Sequence, residues 1–111
     1  GMVVSVPLHY EQLNQVGRSA ERLQACLSER YADGTYVSVR DLNRMDDLER
    51  GAFMRPDSLA NTNKLELSVY ANDVKRTAVL VARLDNLGKG ASGAAVQNMN
   101  LALGLEETSG L

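Results

Sequence analysis

The segment Lys64–Leu84, KLELSVYANDVKRTAVLVARL, decides the fold of this chain. Its first part, Lys64–Tyr70, alternates apolar and polar side chains, which is typical of a half-buried strand. Ala71-Asn72-Asp73 predicts a turn, because short polar residues favour turn conformations. Arg76–Leu84 is apolar on both faces, as expected of a strand in the centre of a sheet. The segment therefore predicts an antiparallel hairpin.

The residues before this hairpin predict two strands and one helix. Met2–Leu8 is rich in valine, which favours a strand. Arg18–Tyr31 has the spacing of an amphipathic helix with Ser19 as its N-cap. Thr35–Arg40 predicts a short second strand, and the charged stretch Asp41–Asn63 predicts a long loop. The helix residues expected to face a sheet are Ala20, Leu23, Leu27 and Tyr31.

The residues after the hairpin predict a glycine-rich turn followed by a helix. Gly88-Lys89-Gly90 follows the apolar run, and a helix is expected from Ala91 to about Leu103. That helix is apolar almost all round, so we expect it to be buried on most sides. A strand, glycine-rich loop and helix in this order place backbone N–H groups and a cation where anions bind. Ordinary turn chemistry explains the same glycines and lysine equally well.

These elements together predict an α+β fold, with a mixed or antiparallel sheet and helices on one face. The 111 residues suffice for one domain. Because Met2 already belongs to a predicted strand, we expect the chain to begin within a fold rather than at its edge.

The composition excludes several classes of function. With a net charge of −2 and 5% aromatic residues, the chain has neither the basic surface nor the stacking residues of a nucleic-acid-binding protein. It contains no apolar run long enough for a transmembrane helix. A single cysteine forms no internal disulfide, so the reducing cytoplasm is the expected compartment.

The residue types that carry chemistry are few. Cys26 is the only thiol, and in mid-helix we expect it to be a small core residue. His9 is the only histidine, and we expect a loop residue with an ordinary hydrogen bond. No metal site is predicted. Arg44 and Arg55 could hold an acidic substrate, although a solvated loop is the simpler interpretation.

The C-terminal residues resemble a known enzyme family. Asp85-Asn86-Leu87, Lys89-Gly90-Ala91-Ser92-Gly93 and Ala95-Val96-Gln97-Asn98-Met99-Asn100 look like the C-terminal signature of N-acetyl-gamma-glutamyl-phosphate reductase, in its shorter bacterial subtype. The opening residues 1–9 and the stretch 59–67 are similar to two further segments of that subtype.

The resemblance implies that residues 1–111 form the C-terminal part of a glyceraldehyde-phosphate-dehydrogenase-like catalytic and dimerisation domain. The last helix, about 91–104, would pack on a dinucleotide-binding domain that this sequence lacks. NADP is the implied cofactor, bound only together with that domain. The implied cofactor-binding residues are Asn86, which would bind the nicotinamide carboxamide, and Gly88, Lys89, Gly90 and Ser92.

The resemblance implies no catalytic residue here, because the family's nucleophilic cysteine motif and its GxGxxG are absent. Two functions remain. The chain is part of an NADPH-dependent reductase that converts N-acetyl-glutamyl phosphate, a small-molecule substrate, to the semialdehyde in arginine biosynthesis. Alternatively, it is a non-catalytic, self-associating fragment. We expect a homo-oligomer in either case, and a reading frame that continues upstream into a cofactor domain would favour the first.

Overall fold

A computed structural model describes all residues, 1–111, and contains one mixed four-stranded sheet. Its strands are β1 (Met2–His9), β2 (Val37–Val39), β3 (Leu65–Asn72) and β4 (Thr77–Leu84). They lie in the order β1-β4-β3-β2. β4 is antiparallel to both of its neighbours, and β2 is parallel to β3. The mixed sheet and the central position of β4 were both predicted.

The predicted hairpin is present, but its turn lies further along the chain than expected. β3 continues through Ala71 and Asn72, because Asn72 still pairs with Thr77 across the ladder. The turn is therefore formed by residues 73–76, with Arg76 in the left-handed conformation at φ 55°. At the other end of the hairpin Leu65 pairs with Leu84. This register brings the residues before β3 next to those after β4.

One helix, α1 (Ala20–Arg30), packs on the sheet against β2 and β3. Ser19 is its N-cap as predicted, and its hydroxyl accepts the Arg22 N–H at 3.2 Å. Ala20 is buried, and Leu23, Leu27 and Tyr31 are half-buried. The predicted sheet-facing side of this helix is therefore confirmed.

The expectation that Cys26 is a core residue is wrong, because its side chain is exposed. Each residue advances about 100° around a helix, so the residue next to Leu27 leaves the side that faces the sheet. Position in mid-helix does not by itself imply burial.

The other face of the sheet is covered by residues 41–63, which form the predicted long loop. The segment contains only an isolated bridge between Glu49 and Phe53. It is tied to the sheet through Arg83 of β4, whose guanidinium contacts Glu66 Oε2 at 2.6 Å and Asp47 Oδ2 at 3.3 Å. Two opposite charges compensate the buried cation, as a buried charge requires.

The second helix, α2 (Gly93–Ala102), does not pack on the face of the sheet. It contacts mainly the turn that precedes it, and this turn follows the end of β4. The prediction of helices on one face is therefore correct for α1 and wrong for α2. The apolar pattern of α2 indicated burial but did not indicate which surface buries it. No helix of the structure is long and apolar enough to cross a membrane.

Candidate functional site

A cavity of about 410 Å³ lies where the residues before β3, the turn after β4 and the last residues of the chain meet. The residues that line it are mostly small and uncharged. They present backbone groups, side-chain amides and one side-chain carboxylate. The lining residues are Asn61, Thr62, Asn63, Asp85, Leu87, Gly88, Ser92, Gly93, Val96, Gly110 and Leu111.

Asp85 organises this cavity. Its side chain is buried, and its carboxylate accepts the Leu87 N–H at 3.0 Å and the Asn61 N–H at 2.7 Å. These backbone bonds, with a smaller contribution from the N–H of Gly88, hold the pKa of the Asp85 carboxyl below its usual range. The ionised carboxylate joins the segment before β3 to the turn after β4. The anion that accepts the backbone N–H groups at the start of this turn is therefore the Asp85 carboxylate of the chain itself.

The turn itself is a single π-helical turn, Gly88–Ser92, that runs directly into α2. The N–H of Gly90 donates to Asp85 O at 2.9 Å, and the N–H of Ser92 donates to Leu87 O at 3.2 Å. The N–H of Gly93 donates to Gly88 O. The predicted helix start at Ala91 with free N–H groups is therefore wrong, because helical hydrogen bonding begins several residues earlier.

Two glycines permit the close packing of the cavity walls. A Cβ at Gly88 would lie 2.7 Å from Thr62 O, and a Cβ at Gly93 would collide with Asn63 Oδ1. By contrast, a Cβ at Gly90 would make only ordinary contacts, the nearest at 3.4 Å from Leu84 Cδ1. Close backbone approach therefore depends on Gly88 and Gly93 rather than on Gly90.

The structure places the five predicted cofactor-binding residues in one turn but not on one surface. Gly88 and Ser92 line the cavity, whereas Asn86, Lys89 and Gly90 do not. The Ser92 hydroxyl donates to Leu87 O at 2.9 Å. Asn86 is half-buried beside the cavity.

Lys89 has partners of its own. Its ammonium donates to Gln97 Oε1 and lies 5.7 Å from the centroid of the Tyr36 ring. Gln97 Oε1 also accepts Asn63 Nδ2 at 3.1 Å. The cation is therefore held by α2 and by the segment before β2, away from the cavity.

Sequence reasoning assigned no role to Asn61, Thr62, Asn63 or Asp85, which form one wall of the cavity. A signal was present in the sequence, since the hairpin prediction already pairs the start of β3 with the end of β4. Polar residues that flank the open end of an antiparallel hairpin lie side by side.

The remaining candidates have structural partners. The prediction that His9 is a loop residue is wrong, because His9 is the last residue of β1 and pairs with Thr77. Its backbone N–H donates to Gln12 Oε1 at 3.0 Å, and its side chain is exposed. Arg44 and Arg55 each pair with the aspartate two residues on, Asp46 and Asp57, at 2.7 Å. The structure places no three His, Cys, Asp or Glu side chains where they could hold a metal ion.

Comparison with known proteins gives related sequences over the whole chain. An N-acetyl-gamma-glutamyl-phosphate reductase of Trichormus variabilis is 42% identical over 111 residues, which is 100% of this chain and 34% of the relative. The reductase of Burkholderia cenocepacia is 43% identical over 104 residues, or 94% of this chain and 32% of the relative. An N-acetyl-gamma-glutamyl-phosphate reductase 2 of Pseudomonas putida is 43% identical over 99% of this chain and 34% of its own length.

The chain thus spans about a third of the length of the curated relatives that it matches. No family model matches it.

Proposed function

We propose a function from one premise: the chain belongs, over its whole length, to the N-acetyl-gamma-glutamyl-phosphate reductase family. On this proposal it is the C-terminal part of a cytoplasmic reductase of arginine biosynthesis. The reaction takes N-acetyl-glutamyl phosphate, NADPH and a proton, and yields the semialdehyde, NADP and phosphate. The observation that carries the proposal is the match of 42% identity along all 111 residues.

The cavity is compatible with a role on the cofactor side of such an enzyme. Its walls are amides, hydroxyls, backbone and the Asp85 carboxylate, and they contain no cation, so they suit a nicotinamide carboxamide better than a phosphate. Gly88 allows the turn to pack against the Thr62 carbonyl in the cavity wall, and Asp85 fixes the conformation of the turn. NADPH, when bound, supplies the hydride.

In this proposal, the residues that would hold the nicotinamide end are Asn86, Gly88, Gly90 and Ser92. Asn86 would provide the directional amide hydrogen bond, and the turn would provide a fixed surface against which the ring lies. The rest of the cofactor would lie on a dinucleotide-binding domain contacted by α2. The apolar outer residues of α2, Met99 and Leu101, support this docking because they are exposed.

The same exposed residues also favour a second candidate function, a non-catalytic module that associates with itself. Both candidates need a partner for α2. They differ in whether the chain supports reduction when the missing two thirds of the enzyme are supplied.

A chimera distinguishes the two candidates. The matched region of the Trichormus variabilis reductase is replaced by residues 1–111 of this chain, and oxidation of NADPH is followed with the acyl phosphate as substrate. We expect the chimera to turn over and the isolated chain to be inactive. A chimera that folds, as judged by its thermal midpoint, but oxidises no NADPH would contradict the proposal.

A matched pair of variants in the chimera tests the cofactor-side role of the turn. Asn86→Ala should raise the KM for NADPH severalfold, since one hydrogen bond contributes about 0.5–1.5 kcal/mol. Gln15→Ala, which removes an exposed amide in the segment before α1, is the control and should leave KM unchanged. An unchanged KM in both variants, with a large fall of the thermal midpoint in Asn86→Ala alone, would show that Asn86 is structural.

A further inference from the structure

A chain of side-chain hydrogen bonds joins the glycine-rich turn to residues 104–111, which we call the strap. The Lys89 ammonium donates to Gln97 Oε1, and Gln97 Nε2 donates to Glu107 Oε1 at 2.6 Å. Thr35 Oγ1 donates to the other carboxylate oxygen of Glu107 at 2.8 Å. A cation and an anion therefore stand at the two ends of one bridge, with the Gln97 amide between them.

The strap is fixed to α2 by Asn100. This residue is only 2% exposed, and its Nδ2 donates to Glu107 O at 3.1 Å and to Ser109 O at 2.9 Å. The N–H of Leu105 donates to Asn100 O at 2.8 Å. Because the backbone of the strap is held in this way, the Glu107 carboxylate is positioned beside Gln97.

The bridge determines where the Lys89 ammonium lies. Gly88, immediately before Lys89, lines the cavity together with Gly110 and Leu111 of the strap, whereas Lys89 does not. Two groups contact the ammonium, the Gln97 oxygen and the Tyr36 ring. The Glu107 carboxylate lies on the other side of the Gln97 amide, whose oxygen also accepts Asn63 Nδ2 at 3.1 Å. Hydrogen bonds from Thr35 and Gln97, with the charge of Lys89, lower the pKa of Glu107, so this carboxylate is ionised at neutral pH.

We propose that the strap is a latch that keeps the Lys89 ammonium away from the cavity while Glu107 is bonded to Gln97. Release of Glu107 leaves Asn63 Nδ2 as the only other protein group that fixes the Gln97 amide besides Lys89, and it removes the negative charge at the far end of the bridge. Lysine is a flexible and strongly hydrated cation, so the released ammonium turns to solvent and becomes accessible to an anionic group such as phosphate. This control of one cation goes beyond the reductase proposal and does not depend on it.

Nuclear magnetic resonance of the 111-residue chain tests the latch, with inorganic phosphate as the probe. In the wild-type chain the side-chain signals of Lys89 should shift no more with added phosphate than those of Lys75, which is exposed on the hairpin turn. Glu107→Ala removes the acceptor of the Gln97 amide, whereas the backbone bonds of Asn100 to the strap remain, and in this variant the Lys89 signals should shift clearly more than those of Lys75. Amide exchange at Gly90 and Ser92 should rise about threefold to tenfold, because the turn loses its tie to the strap.

The adjacent glutamate provides a matched control. Glu106 is exposed and forms no ion pair, so Glu106→Ala should behave like the wild-type chain. Should Glu107→Ala fail to fold, Thr35→Val removes only one hydrogen bond from Glu107 and should show the same changes at smaller amplitude. A wild-type Lys89 that already responds to phosphate more than Lys75 would overturn the latch. So would variants that leave both the phosphate response and the exchange unchanged.

Discussion

A single carboxylate, that of Asp73, holds three parts of the molecule together. Its Oδ1 accepts the Tyr10 hydroxyl at 2.6 Å and the N–H of Ala20, the first residue of α1, at 2.9 Å. Asp73 itself lies in the hairpin turn, and Tyr10 directly follows β1. The tyrosine is 1% exposed, so its hydroxyl has no access to water as an alternative partner. The Tyr10 hydroxyl therefore has no other hydrogen-bond partner if the bond to Asp73 is lost.

Replacing Tyr10 by phenylalanine should therefore destabilise the chain by about 1.5–3 kcal/mol, the usual range for a hydrogen bond to a charged group. The free energy of unfolding in urea measures this loss. Tyr31→Phe is the control, because the Tyr31 hydroxyl forms no hydrogen bond within the chain and its ring is half-buried. Equal stability of the two variants would show that the Tyr10 hydroxyl contributes nothing.

The same tyrosine predicts a pH dependence. Burial, together with the hydrogen bond to Asp73, raises the pKa of Tyr10 from 10.0 to about 12. A pKa that is higher in the folded state contributes stability that is complete below the unfolded value and is lost as pH rises through the folded value. The stability advantage of the wild type over Tyr10→Phe should therefore shrink between pH 10.0 and about 12. Urea unfolding of both proteins across this range tests it, and parallel curves would contradict it.

At the scale of single residues, the sequence predicts hydrogen-bond partners that are close along the chain and misses partners that are far apart along it. Ser19 could be predicted as a cap because its partner, Arg22, is three residues away. Tyr10 and Asp73 are 63 residues apart, and no periodicity connects them. Burial of Cys26 was predicted wrongly because its residue type was given more weight than its position around the helix.

At the scale of elements, α2 shows an amphipathic pattern opposite to the usual one. Its most buried side chain is the polar Asn100, whereas the apolar Met99 and Leu101 are exposed. Asn100 is buried because the two carbonyls that it binds belong to the strap, which folds back along the helix. Asn100 therefore stabilises α2, and its apolar neighbours are available to contact another surface.

Two substitutions one residue apart test this description of α2. Asn100→Leu should cost about 1–3 kcal/mol, since it leaves the carbonyls of Glu107 and Ser109 without their donor. Met99→Ser should change the stability of the monomer by less than about 0.5 kcal/mol, as expected for an exposed position. Thermal unfolding at low protein concentration compares them. A larger loss in Met99→Ser would show that α2 is buried through its apolar side.

The long loop depends on the buried charges beneath it. Arg83→Met should destabilise the chain by about 2–4 kcal/mol, because Glu66 would lose the cation that compensates it, whereas Asp47 keeps Arg40 at 2.7 Å. Arg55→Met, which removes a cation that is more than half exposed, should cost no more than about 1 kcal/mol. Chemical denaturation of the two variants measures the difference. Similar losses for both would mean that the loop is held by its apolar residues instead.

At the scale of the whole molecule, the sequence predicts the sheet better than the arrangement around it. Alternation and apolar runs identified the hairpin and the central strand, because each pattern reflects burial within the sheet. Of the five predicted cofactor-binding residues, Gly88 and Ser92 line the cavity, whereas Asn86, Lys89 and Gly90 do not, and Lys89 is bonded to Gln97. Their role in binding a cofactor stays a prediction. The surface on which α2 packs is determined by residues outside α2, so the sequence pattern of α2 alone does not predict it.

The last prediction concerns this uncovered surface. Met99 is 51% and Leu103 is 66% exposed, and they lie four residues apart on one side of α2. Leu101, which is 56% exposed, faces another side of the helix. The end of α2 thus carries an apolar patch that nothing in the chain covers, and exposed apolar patches mark sites of association. We therefore predict that the isolated chain forms dimers or larger oligomers, which light scattering across a range of concentrations measures.

Charged residues introduced into the patch should dissociate the oligomer. Replacing Leu101 and Leu103 by lysine should give a monomer with little change of the thermal midpoint, because neither side chain is buried in the monomer. Val74→Lys is the control: Val74 is 95% exposed on the hairpin turn, away from α2, and its replacement should leave the oligomer intact. A wild-type chain that scatters as a monomer at high concentration would contradict the prediction. An oligomer that survives the two lysines would place the contact elsewhere, for instance along the edge strand β1, where Val4 and Val6 are exposed.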